Sequence, residues 1–177
     1  MTNDDTASSI MDGNGIYTFS KFESALFACV EDVSLLLPAL AERYDVLVVI
    51  SALADHVGTA VQILVKRQVC DTRQARLLIK RIEDIALVRK VGRRVQPNKE
   101  MYHQDQIVKC KAEIGAALPS MVDRHTVLAV ISALTEHLAG ALFACQEANV
   151  CSAAQARAII RRVTRIAFCE SRSRAPE

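Results

Sequence analysis

Two histidines, His56 and His137, sit in almost the same apolar context, ISALADH and ISALTEH. Alanine stands four residues to either side of each: Ala52 and Ala60, Ala133 and Ala141. On a helix, residues four apart share a face. Each imidazole therefore points inward, beside side chains small enough to let another helix come close. Two imidazoles brought together from facing helices could ligate a haem or a metal, which makes His56 and His137 the candidate cofactor-binding residues. Their surroundings favour a plainer role. A carboxylate-bridged di-iron bundle needs several inward glutamates and an E-x-x-H repeat, and a haem pocket is helped by aromatic walls, yet the chain has no Trp. The expectation is a hydrogen-bonded structural pair with neither cofactor nor metal.

The second chemical signal is basic. Residues 1–60 carry two basic and nine acidic side chains, and residues 61–177 carry twenty and eleven. The positive charge gathers in Arg73, Arg76, Lys80 and Arg81, then in Arg93 and Arg94, and again in Arg157, Arg161, Arg162 and Arg165. Arg157, Arg161 and Arg165 step by four and form one helical stripe. Such a surface can grip nucleic-acid phosphates without reading sequence, or an acidic protein. It can equally be a solvated face balanced by the acidic first third of the chain.

Catalytic patterns are lacking. There is no Gly-rich phosphate loop and no placeable Ser–His–acid set or pair of inward carboxylates, so the chain is expected not to be an enzyme. Six cysteines (Cys29, Cys70, Cys110, Cys145, Cys151, Cys169) form no C-x-x-C pair and read as reduced, mostly buried small side chains. Cys70 and Cys151 each stand just before a helix start, where a thiol pKa can fall; they are the redox candidates. The N-terminus is acidic and polar rather than basic and then apolar, and the apolar run from Val46 to Ala54 stops at Asp55 and His56. These features point to a cytoplasmic protein without a membrane span.

An internal repeat organises these residues. Displacing the chain by 81 positions aligns its two halves without a gap, and more than a third of residues 38–89 recur at 119–170. The strongest blocks are VLVVISALADH against VLAVISALTEH and VCDTRQARLLIKRIEDIA against VCSAAQARAIIRRVTRIA. Each copy predicts three helices. The first runs over about 18–37 and 99–118, and Pro38 or Pro119 should end it and open a short turn. The second starts behind Asp45 or Thr126 and reaches about 68 or 149, apolar nearly all round at its start and so central. The third opens on a capping box, Asp71 with Gln74 or Ser152 with Gln155.

The predicted fold is all-α: a six-helix bundle of two tandem three-helix repeats, 18–90 and 99–170, related by a pseudo-twofold axis. Residues 91–98 link them; 1–17 and 171–177 are expected to be disordered. The expected function is that of a non-catalytic, bacterial-type interaction or regulatory module whose partner is another protein. Nucleic-acid binding through the third helix of each repeat is the first alternative, and a carrier using the two histidines is the second. A homo-oligomer is compatible with all three.

Overall fold

A computed structural model describes residues 15–87 and 104–169, with side chains from residue 23 onward in the first stretch. The expected termini and linker, with Arg93 and Arg94, lie outside these residues. Among the described residues there are six helices and no strands: α1 Gly15–Ala41, α2 Val46–Lys66, α3 Thr72–Ala86, α4 Gln104–Arg124, α5 Val127–Glu147 and α6 Ala153–Phe168. The all-helical bundle is as expected.

The helix starts follow from their caps. Asp45 accepts from the Leu47 N–H at 2.8 Å and Thr126 from the Ala129 N–H at 3.2 Å. At α3 and α6 both capping boxes close, each Gln side chain accepting from the backbone N–H of its cap residue. Helices α2 and α5 end alike. Gln68 and Asn149 adopt φ 56°, and Val69 and Val150 donate back to the carbonyls of Leu64 and Cys145. This is the Schellman stop, usually made with glycine because the left-handed region costs other residues energy.

The prolines depart from expectation. Helices α1 and α4 run through Pro38 and Pro119 rather than breaking before them. Both prolines are exposed, so the carbonyl that loses its donor four residues back can turn towards water, and the helix resumes with the Glu42 N–H donating to Pro38 O at 3.0 Å.

Helices α2 and α5 meet at the centre. Around them α1 and α3 pack on α5, while α4 and α6 pack on α2; helices consecutive in the chain touch one another less. The apolar positions that made the second helix of each copy look central are indeed sealed: Ile50, Leu53, Val57, Val61, Leu134, Leu138 and Leu142 are essentially inaccessible. Each contributes about 1.5–3 kcal/mol by leaving water.

Helix α6 packs tightly over Gly58 of α2. A Cβ there would stand 2.9 Å from Ile166 Cβ and 3.1 Å from the Val163 carbonyl, whereas one at Gly140 would meet nothing within 4 Å. The same substitution should therefore act with opposite signs. Gly140→Ala is expected to stabilise by up to about 1 kcal/mol through helix propensity. Gly58→Ala gains that amount too but must displace backbone, and is expected to lose about 1–2 kcal/mol net. Chemical denaturation of both variants decides.

Three helical stretches, Glu23–Ala41, Val46–Lys66 and Val127–Glu147, are apolar and long enough to cross a membrane by length and composition. Counting uninterrupted apolar runs misses them, because an average over a whole helix tolerates the Asp55–His56 break. In the bundle, α2 and α5 turn their apolar surface mostly into the shared core, whereas most of the α1 stretch is left uncovered.

Candidate partner-binding face

Polar side chains of this bundle divide into those that lock helices together and those left for solvent. His56 and His137 belong to the first group. His56 Nε2 lies 2.8 Å from the Lys111 carbonyl of α4, and His137 Nε2 lies 2.9 Å from the Val30 carbonyl of α1. A carbonyl only accepts, so in both rings Nε2 carries the proton and donates. His137 Nε2 also stands 3.3 Å from Ser34 Oγ, and the His56 ring approaches α4 where Gly115 leaves room, its Cε1 3.4 Å from where a Cβ would be. Among the described residues no group of three or more His, Cys, Asp or Glu side chains gathers as a metal site would require.

Burial pushes the His56 imidazole below its ordinary pKa and the Lys111 charge adds to this, while its hydrogen bond to the Lys111 carbonyl and the charge of Asp55 oppose. The consequence for stability has a definite sign. An unfolded imidazole takes up a proton as pH falls through about 6.5, whereas the folded one resists until a lower pH. Stability is therefore lost over the interval between those two values and levels out beneath it. The thermal midpoint is expected to fall from pH 7 to pH 5, with a shallower slope in His56→Gln; an unchanged slope would contradict this role.

Two further clusters join the outer helices. Tyr44 OH donates to Glu113 Oε1 at 2.6 Å, and Arg43 pairs with Glu113 Oε2 at 2.6 Å. On the other side His125 Nε2 donates to Asp32 Oδ2 at 2.8 Å, with Arg124 3.1 Å from the same oxygen. The His125 hydrogen bond holds the Asp32 carboxyl below its usual range, burial opposing and the charges of Arg124 and His125 adding. These residues were not anticipated from sequence. The signal was present: Asp32 and Glu113, Arg43 and Arg124, Tyr44 and His125 are each separated by the 81-residue repeat offset.

The basic residues separate in the same way. Arg162 reaches from α6 to Asp55 of α2, making two bonds of 2.6 and 2.8 Å. Arg81 of α3 pairs with Glu136 of α5 at 2.5 Å. Lys80 pairs with Asp84 one turn on at 2.8 Å, and Arg76 lies over the Phe168 ring, 5.8 Å from its centroid. Against these, Arg157, Arg161 and Arg165 are all exposed and form no ion pair among the described residues. At 1.5 Å per residue they span about 12 Å of one helix face. Arg73 is likewise exposed on α3. An open cleft of about 580 Å³, lined by Ser51, Gln104, Ile107 and the Arg162–Arg165 side of α6, adjoins the stripe.

Neither of the two redox candidates, Cys70 and Cys151, has a lowered thiol pKa. Burial raises the pKa of Cys70, with Asp71 adding, and carries Cys151 to about 11 with Cys145 nearby. The helix-start position that suggested a lowered pKa is outweighed by desolvation. No protein family, curated protein or solved structure matches the chain.

Proposed function

We propose that this chain is a non-catalytic interaction module of the cytoplasm that offers the basic face of α6 to an acidic protein partner. The observation that carries the reading is the exposed Arg157–Arg161–Arg165 stripe, without carboxylate partners among the described residues, while Arg162 on the same helix and Arg81 at the corresponding place in the first half are engaged. An unpaired arginine stripe one turn per step suits carboxylates spaced likewise on a partner helix, because guanidinium forks bind carboxylates bidentately.

The architecture that presents the face is, in this reading, a fused dimer: two three-helix repeats about a pseudo-twofold axis. Reciprocal contacts support it. His56 with Lys111 and His137 with Val30, Arg162 with Asp55 and Arg81 with Glu136 each recur at the 81-residue offset with the two halves exchanged.

A duplex nucleic acid is the second reading. Arg76 over Phe168 places the start of α3 beside the end of α6, which widens the basic surface across two helices as rows of phosphates would need. Fluorescence anisotropy with labelled poly-glutamate and with a labelled DNA duplex tests both. Salt-sensitive poly-glutamate binding, weakened at least about tenfold in an Arg157→Glu/Arg161→Glu/Arg165→Glu variant, is expected. Binding to neither probe would overturn the face as an anion site, and tighter binding to the duplex would favour the second reading.

A further inference from the structure

We propose that the acidic partner of the α6 face is a second copy of this chain, which docks there through the outward face of its α1. The inference rests on the reading of α6 given above and names its occupant.

Helix α1 exposes a continuous outward face. Phe27 and Leu35 are 71% and 77% accessible, the highest values among the exposed large apolar side chains. Glu31 lies midway between them, one turn from each, with exposed Ala28 and Ala39 alongside and Glu42 just beyond the helix end. Isolated surface apolar residues are ordinary, but here two large ones share a single stripe around a carboxylate. The α6 stripe has the same spacing and the opposite charge: Arg157, Arg161 and Arg165, flanked by exposed Ala154 and Ala158. Both stripes run about 12 Å.

Laid together, Glu31 can meet Arg161, while Phe27 and Leu35 reach the low surface over the alanines and the aliphatic stems of the outer arginines. A guanidinium over the Phe27 ring would add a cation–π contact, of the kind that Arg76 already makes with Phe168 inside the bundle. The charge along the two helices agrees: residues 23–42 carry Glu23, Glu31, Asp32 and Glu42 with no basic side chain, and α6 carries four arginines with no acidic one, so the two faces attract. Glu31 at the centre of the α1 face disfavours a lipid occupant, because a mid-stripe carboxylate is costly in a bilayer core. The neighbouring α4 carries Lys109, Lys111 and Glu113, which adds to that cost.

The two faces belong to different helices, so the contact is heterologous. Each copy keeps one face free after pairing, and association proceeds to a ring or an open chain rather than stopping at a dimer by symmetry. This allows a charge-swap test on the full-length protein. Arg161→Glu sets two carboxylates against each other at the centre of the contact and Glu31→Arg sets two guanidinium groups there, both at exposed positions where substitution little disturbs the fold.

By sedimentation equilibrium, the average mass of the natural chain is expected to rise with concentration at low salt and fall as salt is added. Each single variant is expected to self-associate about tenfold more weakly or less, and an equimolar mixture of the two to regain association. A monomer at every concentration, or a mixture no more associated than its parts, overturns the proposal. Chains that float with phosphatidylcholine vesicles through Phe27, yet do not self-associate, overturn it in favour of a lipid surface. Poly-glutamate binding separates this failure from that of the parent reading: a strictly monomeric chain that still binds poly-glutamate through Arg157, Arg161 and Arg165 retains the acidic-partner face and loses only the second copy as its occupant.

Discussion

Residues 1–90 and 91–177, produced as separate chains, are expected to show no cooperative unfolding as monomers, and to regain it when mixed. Helices consecutive in the chain touch little, and the large contacts are α1 and α3 on α5, α4 and α6 on α2, and α2 on α5. A lone half thus keeps its helices but loses what they pack against. Leu53, Leu134, Leu138, Leu142, Ile114 and Ile160 are almost wholly inaccessible in the intact chain. Re-exposing even these six, at about 1.5–3 kcal/mol each, removes about as much as the 5–15 kcal/mol by which a domain is stable. Circular dichroism at increasing temperature should give a sloping trace for each half at low concentration and a sigmoid for the mixture. A half that reassembles only as its own dimer agrees with the fused-dimer reading, since one repeat supplies every face a twofold partner needs. A monomeric half with a sharp transition would contradict the packing scheme.

How much of this was legible beforehand can be traced to particular residues. The capping boxes at Asp71 and Ser152 could be read because their donors and acceptors lie within three residues of each other. The central position of α2 and α5 could be read because residues apolar on every side have only the core to go to. Pro38 misled, since the rule for the residue before proline is a statistical preference that a long amphipathic helix overrides when the proline faces out. Asp55, which interrupts an apolar run and so looks like a solvent-facing residue, lies under α6, and only 6% of it remains exposed. The partner in that case comes from residue 162, and no local pattern specifies a contact across so much of the chain. The candidate face shows the same limit. The four-residue step sets Arg162 apart from Arg157, Arg161 and Arg165 in sequence, but only the position of Asp55 on α2 makes it the engaged one.

Arg162→Met is accordingly expected to destabilise the protein by about 3 kcal/mol, a far larger loss than removal of any arginine in the exposed stripe. The Asp55 carboxylate is buried, and Arg162 satisfies both of its oxygens at 2.6 and 2.8 Å. Without the guanidinium the remaining cation is Lys111, whose Nζ stands 3.7 Å away. An uncompensated buried carboxylate costs about 3–5 kcal/mol. The lower end applies here because the Arg162 side chain is 39% exposed and Lys111 stays near. In a chain of this size about 3 kcal/mol corresponds to a fall of about 6–12 °C in Tm. The corresponding pair Arg81–Glu136 has side chains 62% and 32% exposed, so Arg81→Met is expected to cost less than about 1 kcal/mol. Asp55→Leu combined with Arg162→Met should recover most of the loss, because the cost lies in the stranded charge rather than in the lost attraction. A double-mutant cycle measured by denaturant unfolding reads that coupling directly. Additive single effects would place Asp55 in solvent contact and count Arg162 with the solvated basic side chains. Strong coupling keeps it as the tie between α6 and α2, which holds Arg157, Arg161 and Arg165 facing outward.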